Sequence, residues 1–144
     1  HERNQIGVFA KGFARDNSVF SAIRYFREEF LALPHPTRVE KHLPNVDKGS
    51  AAKRINMFLR WMVRSDDLGV DFGLWRCIPT SALMLPLDVH AANISRRLGI
   101  LLHPKNDRRA VEEVTAYLRR LDPQDPVKYD FALFGEGVFD GKEM

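Results

Sequence analysis

Two segments of the chain place charged side chains beside a predicted helix start, where they could take part in chemistry. The first spans residues 43–53, where a turn leads into a helix predicted to be capped by Ser50, and it carries Lys48 and Lys53. The free N–H groups and the dipole of a helix N-terminus favour a bound phosphate, and the two lysines add positive charge. This segment therefore predicts binding of a phosphate group.

The second segment centres on Asp88, which follows the apolar residues 82–87 and precedes a helix predicted over residues 89–98. The helix dipole and the amide groups of the first turn keep a carboxylate ionised at such a position. An ionised carboxylate can accept a proton or stabilise a developing positive charge. Aspartate is also a preferred N-cap residue, so helix capping alone is the simpler explanation of Asp88.

The motifs of several large enzyme classes are absent from the sequence. It contains no Gly-x-Ser-x-Gly elbow, no Gly-x-x-x-x-Gly-Lys-Ser loop, no Gly-x-Gly-x-x-Gly and no His-Glu-x-x-His. The five histidines are scattered and Cys77 is the single cysteine, which excludes an internal disulfide and cysteine-based zinc or iron–sulfur sites. The sequence therefore predicts no bound metal and no cofactor.

Length and composition fit one globular domain. The 144 residues are 44% hydrophobic and 28% charged, and no apolar run approaches the roughly 18 residues of a membrane helix. The chain does not begin with methionine, so we expect a single domain over residues 1–144 that is a fragment lacking its N-terminal part. The single cysteine and the absence of a signal peptide favour a cytoplasmic protein without membrane contact.

Positive charge is concentrated in the first half of the chain. Residues 1–65 hold 12 Lys and Arg against 6 Asp and Glu, whereas residues 66–144 hold 10 against 13. This asymmetry predicts an anionic partner for the basic half, and nucleic acid is the commonest such partner. A solvated basic helix face is the alternative explanation, because the imbalance is modest.

Apolar residues recur at helical spacing almost throughout, and no segment alternates convincingly as a strand does. Besides the two helices named above, the pattern predicts helices over residues 19–33 and 107–121 and short ones near residues 37–43 and 81–85. A last helix is predicted to open at Asp125-Pro126 and to end at Gly135. The prediction is an all-α fold of about six or seven short helices in a compact, orthogonally packed domain.

Four blocks of the sequence resemble an uncharacterised bacterial protein family in their order and in their residues. They lie at residues 49–64, 70–75, 86–90 and 125–135. The first contains Ser-Ala-Ala-Lys-Arg-Ile-Asn-Met-Phe-Leu-Arg-Trp-Met, and the last reads Asp-Pro-Val-Lys-Tyr-Asp-Phe-Ala-Leu-Phe-Gly. This resemblance carries no function with it.

Two regions also resemble, more distantly, the helix-hairpin-helix DNA glycosylases of the endonuclease III superfamily. Asp88, His90 and the run from Arg97 to Gly99 match the helix that carries the catalytic aspartate in that family. The family's hairpin usually reads Leu-Pro-Gly-Val-Gly-x-x-Thr-Ala, and the matching positions here are Leu43, Pro44, Val46, Ser50 and Ala51. Both hairpin glycines are replaced, by Asn45 and Asp47.

The resemblance implies excision of damaged bases from double-stranded DNA, with a Schiff-base lyase step in bifunctional members. There a lysine amine attacks the sugar C1′ while the aspartate assists, and Asp88 takes the second role here. A register like that of the archaeal 8-oxoguanine glycosylases makes Lys53 the nucleophile, with Lys48 as the alternative. The chain has no four-cysteine cluster like that of the endonuclease III branch.

The same resemblance implies contacts to DNA and a pocket for the flipped base. The residues expected at DNA are Lys48, Gly49, Ser50, Arg54, Arg60 and His90. A flipped base is held between aromatic side chains, for which Trp61, Phe72 and Trp75 are the candidates. Core packing is the simpler role for each of the three.

Two other functions remain open on the sequence alone. A nucleic-acid-binding module of the same fold without catalysis keeps the basic half and the hairpin, and the loss of both hairpin glycines favours it. A protein-interaction domain is the second alternative. Binding to DNA would place the protein at the bacterial nucleoid, and its protein partners are not indicated by the sequence.

Overall fold

The computed structural model describes residues 2–65, 71 and 73–130. Within these residues the chain is helical and has no β-strand, which confirms the all-α prediction. The α-helices are α1 (Glu2–Ala14), α2 (Val19–Leu31), α3 (Lys53–Val63), α4 (Val89–Arg97) and α5 (Arg108–Leu121). Short 3-10 helices lie at Thr37–His42, Val46–Lys48, Thr80–Ala82 and Pro126–Tyr129.

Helix α1 was not predicted from the sequence, because Gly7 and Gly12 lower the helix propensity of this segment. Packing against α2 overrides that propensity. A Cβ atom at Gly12 would lie 2.7 Å from the Cα of Ala22, so the glycine allows the two helices to approach closely. The rings of Phe9 and Phe26 stack across the same interface with their centroids 4.9 Å apart.

Several predicted boundaries are corrected by the structure. Helix α3 begins at Lys53 with Ala52 as its N-cap residue instead of Ser50, and α2 ends at Leu31, which leaves Leu33 beyond the helix and 62% exposed. The predicted helices near residues 37–43 and 81–85 are 3-10 turns, and the segment opening at Asp125 is 3-10 helix over Pro126–Tyr129. The predicted continuation of that last helix through Phe131 and Phe134 to Gly135 lies outside the described residues.

One continuous core draws on every α-helix and on the non-helical residues 83–87. Its fully buried members include Ile23, Leu59, Leu85, Val114 and Leu118. Residues 83–87 are buried in this core as extended chain. Asp88 follows them at the start of α4, where the chain returns to the surface.

Helix α5 fixes both segments that were singled out in the sequence. The hydroxyl of Thr115 accepts a hydrogen bond from the Leu85 amide at 3.1 Å, and the guanidinium of Arg119 donates to the carbonyls of residues 81–83. At the other end of α5, the Arg108 amide donates to the Gly49 carbonyl at 2.9 Å, and its guanidinium donates to the Val46 carbonyl. One rigid helix therefore holds the turn before α3 and the chain before α4 in fixed relation.

Candidate active site

An open cleft of about 890 Å³ lies where the N-termini of α3 and α4 meet. Lys53 and Asp88 both line it, although 34 residues separate them in the chain. Its floor is apolar, with Phe26, Ile55 and Leu87 among the lining residues. The remaining walls come from the 3-10 helix Thr37–His42 with the residues that follow it, and from one residue of the loop before α5.

The α3 side of the cleft has an unusual helix start. Ala52, the N-cap residue, has φ +51° and ψ +43°, a left-handed conformation that residues other than glycine rarely adopt. No side chain caps the helix, so the amides of its first turn have no capping acceptor. Ser50 accepts a hydrogen bond from the Ala52 amide at 3.1 Å instead. The exposed side chain of Lys53 follows directly and has no carboxylate partner among the described residues.

The α4 side is capped by a carboxylate. Oδ1 of Asp88 accepts a hydrogen bond from the Ala91 amide at 2.7 Å, which confirms the predicted N-cap role. Within the described part of the chain its second oxygen has no hydrogen-bond donor. The residue is half-buried. Asp88 can therefore cap α4 with one oxygen and still present the other to a molecule in the cleft.

Positive charge predominates around the cleft. Lys41, Lys53 and Arg54 line it, and Asp88 is the only carboxylate among the described residues that do so. His42 and His90 add two imidazoles at the rim. An anion that enters the cleft meets these cations together with the positive end of the α3 dipole.

A fourth segment brings an amide group to the cleft. Asn106 lines it, and its Oδ1 accepts a hydrogen bond from the Arg96 guanidinium at 2.7 Å. Arg96 also donates to the carbonyls of His103 and Lys105, so one α4 side chain holds the whole loop. The sequence reasoning missed Asn106, Lys41 and His42 as cleft residues, because only the tertiary fold brings their loops to this place.

Five of the predicted site residues line the cleft: Ser50, Lys53, Arg54, Asp88 and His90. Lys48 does not line it, because it belongs to the 3-10 turn before α3 and borders a separate hollow of about 180 Å³ beside Arg24 and Arg27. Gly49 ends that turn with φ +97°, which suits glycine, and its carbonyl is bound to α5.

Arg60, predicted to contact DNA, has a side chain that is buried and ion-paired in the structure. Arg60 is 4% exposed and its guanidinium contacts the carboxylates of Asp71 and Asp130. Arg64 contacts Asp71 as well, at 2.8 Å, and Asp125 at 3.0 Å. A phosphate cannot reach Arg60 without breaking this buried network.

The pKa of Asp130 is raised to about 6, mainly by burial; Arg60 lowers it, and the nearby carboxylates of Asp88 and Asp71 raise it. The charge on Asp130 is thus sensitive to pH, and the Asp130 carboxylate interacts electrostatically with the catalytic candidate Asp88.

The three aromatic candidates are not brought together in the cleft. Trp75 is 5% exposed and packs in the core against Phe9 and Phe58, with ring centroids at 5.8 Å and 5.4 Å. Trp61 is 39% exposed on α3 but does not line the cleft. Phe72 lies outside the described residues. Among these residues, Trp75 has the core-packing role that aromatic residues most often have.

The described part of the chain has neither a metal-binding cluster nor a membrane span. No group of three or more His, Cys, Asp and Glu side chains could hold a metal ion there. None of the helices described there combines the length and the apolar character that crossing a membrane requires.

Comparison with known proteins shows the family of the chain. It belongs to a family described as a protein of unknown function, DUF2400, which matches residues 2–139. Neither a curated protein nor a solved structure matches the sequence.

Proposed function

We propose that this protein is a DNA glycosylase-like enzyme that removes damaged bases from double-stranded DNA, with Lys53 as the nucleophile and Asp88 as the assisting carboxylate. The observation that carries the proposal is that Lys53 and Asp88 line one cleft from the N-termini of two helices. Nucleophilic attack on a sugar carbon requires an amine and a nearby carboxylate, and the cationic cleft holds both groups.

The surroundings of the cleft support a nucleic-acid substrate. Lys41 and Arg54 flank Lys53, and the uncapped amides of the first α3 turn carry the positive end of the helix dipole. These groups suit the phosphates on either side of a nucleotide. The apolar floor at Phe26, Ile55 and Leu87 offers a surface for a base that has left the helical stack.

In the proposed reaction the neutral Lys53 amine attacks C1′ of the damaged nucleotide, and the bond between C1′ and the base breaks. The electron pair of that bond leaves with the base, which takes up a proton. Asp88 accepts the proton that the attacking nitrogen loses and stabilises the positive charge that develops on the sugar. Asp88 then returns this proton to O4′ as the C1′–O4′ bond breaks, which opens the sugar ring and gives a Schiff base, and loss of a C2′ proton expels the 3′ phosphate in the lyase step.

The structure supports Lys53 over Lys48 for this role. Of these two lysines, Lys53 shares the cleft with Asp88, whereas Lys48 borders the separate hollow beside α2. The amides of Lys48, Gly49 and Ser50 are used within the turn itself, where they donate to the carbonyls of Asn45 and Val46. The turn therefore leads the chain into α3 with these three amides already hydrogen-bonded within it.

Borohydride trapping tests the proposal. The protein is incubated with duplexes that carry 8-oxoguanine, uracil, an alkylated base or an abasic site, and a covalent protein–DNA adduct is sought after reduction. We expect an adduct that K53A abolishes and D88N greatly weakens, whereas K48A and the distant exposed control K11A retain it. Loss of the adduct in K48A instead of K53A would assign the nucleophile to Lys48.

Measurement of base release and of DNA binding separates the remaining outcomes. Base release without an adduct would mean that the enzyme acts through water and not through lysine. Salt-dependent DNA binding with neither adduct nor base release would overturn the enzymatic proposal in favour of a nucleic-acid-binding module. Absence of DNA binding would overturn both.

A further inference from the structure

The buried side chain of Asn56 is tied to the turn that precedes Lys53. Asn56 lies on the first turn of α3 and is 1% exposed. Its Nδ2 donates a hydrogen bond to the carbonyl of Ala51 at 3.1 Å, and its Oδ1 is buried without a partner among the described residues. A buried acceptor without a donor lowers stability, so core packing alone does not account for an amide at this position.

This hydrogen bond from Asn56 to the Ala51 carbonyl, called the tie below, spans the one strained residue of the cleft. Ala52, between Ala51 and Lys53, holds the left-handed conformation that an alanine disfavours because its Cβ crowds the backbone. The backbone amide of Asn56 donates to the Ala52 carbonyl at 2.9 Å, so Asn56 contacts both residues of this turn. Gly49, three residues earlier, adopts a left-handed conformation without such a cost.

We propose that Asn56 is a positioning residue, whose side-chain amide holds Ala52 in its left-handed conformation and so directs Lys53 into the cleft. The inference rests on the proposed function, because it assigns the tie to the placement of the proposed nucleophile. If Ala52 relaxed to an ordinary helical or extended conformation, the chain direction at Lys53 would change and the amine would leave the wall that it shares with Asp88.

The substitution N56L separates the hydrogen bonding of Asn56 from the packing of its side chain. Leucine is similar in size and removes both the amide donor and the unpartnered oxygen, so stability changes little. The carbonyl of half-buried Ala51 can then bond to water. A52G is the rescue variant, because glycine adopts the left-handed conformation without the Cβ clash and makes the tie unnecessary. L59A is the matched control, since it weakens the core at a buried position of the same helix and leaves the Asn56 side-chain amide in place.

Two measurements are made on each protein, namely hydrogen exchange of the amides of residues 52 and 56 and the initial rate of borohydride-trapped adduct with abasic DNA. We expect N56L to raise exchange and to lower the adduct rate, each by about tenfold, which is the factor equivalent to about 1.4 kcal/mol. The double variant N56L/A52G recovers most of both changes. The L59A control lowers the unfolding temperature but keeps the adduct rate well below that temperature.

The outcomes distinguish this inference from the function on which it rests. Unchanged exchange and unchanged adduct rate in N56L overturn the inference and leave the proposed function intact. An adduct rate that falls in N56L only in proportion to lost stability, or that A52G does not restore, also overturns it. If wild-type protein forms no adduct at all, the lyase function fails, and exchange alone then decides whether Asn56 holds the turn.

Discussion

Asp88 has two roles that one pair of substitutions can separate, namely capping α4 and assisting Lys53. The cap is a single hydrogen bond of 2.7 Å from the Ala91 amide to Oδ1, at a half-buried residue. Asparagine caps a helix about as well as aspartate does, because its side-chain oxygen accepts the same bond. It cannot accept a proton, and it carries no negative charge.

The magnitudes follow from that difference. D88A loses the cap and is expected to lower the free energy of unfolding by about 1 kcal/mol, or the unfolding temperature by roughly 4 °C. D88N keeps the cap and is expected to change stability by less than about 0.5 kcal/mol. Both variants lose the carboxylate, so both are expected to slow the adduct-forming reaction by about a hundredfold or more.

Urea denaturation and single-turnover trapping on the same preparations check this prediction. The informative protein is D88N, because its fold is intact and only the chemistry of the side chain differs. If D88N forms the adduct at the wild-type rate while D88A loses both stability and activity, Asp88 is a helix cap and nothing more, and the assignment of the assisting carboxylate is refuted.

Three further predictions concern the buried ion pairs and the cleft. R60L leaves the buried carboxylates of Asp71 and Asp130 without their shared guanidinium, and we expect a loss of about 3 kcal/mol in urea denaturation; a loss below about 1 kcal/mol would contradict the network described above. Since the folded pKa of Asp130 is about 6, above that of an unfolded aspartate, its carboxyl disfavours the folded state increasingly as pH rises from about 4 to about 6. The stability of D130N relative to wild type should therefore increase over that window, by up to about 1.4 kcal/mol per pH unit, and a difference independent of pH would show that Asp130 is not the titrating group. R54Q should weaken DNA binding and lower the slope of log K against log salt by about 0.9, whereas R120Q on the exposed face of α5 should leave it unchanged; equal slopes in both variants would exclude Arg54 as a phosphate contact.

Local signals in the sequence were sufficient for much of the secondary structure. Asp88 and Asp107 are N-caps, each accepting a hydrogen bond from the amide three residues later, and Gly99 follows α4 with φ +78°, a conformation that suits glycine. Helix α1 escaped prediction because its glycines oppose a helix locally, and only contact with α2 makes Gly12 favourable. The start of α3 was placed too early, because the left-handed conformation of Ala52 has no signal in an alanine.

The candidate site was partly predictable because some of its residues lie beside local signals of a helix start. Asp88 and Lys53 were found from their places beside predicted helix starts, together with a family resemblance, and both line the cleft. The ion pairs of Arg60 were not predicted, because periodicity does not show which arginine of a basic helix meets a buried carboxylate. Its partners Asp71 and Asp130 are 11 and 70 residues away in the chain.

The sequence by itself determined most of the helices, the caps at Asp88 and Asp107 and the charged residues at two helix starts, because these depend on residues within one or two turns of each other. The tertiary structure decided which of these residues share a cleft. Helix α5 holds the turn before α3 through Arg108 and the chain before α4 through Thr115, and this common anchor brings Lys53 and Asp88 to one surface. The contacts that achieve this join residues 30 to 62 positions apart, and no local pattern encodes such pairs.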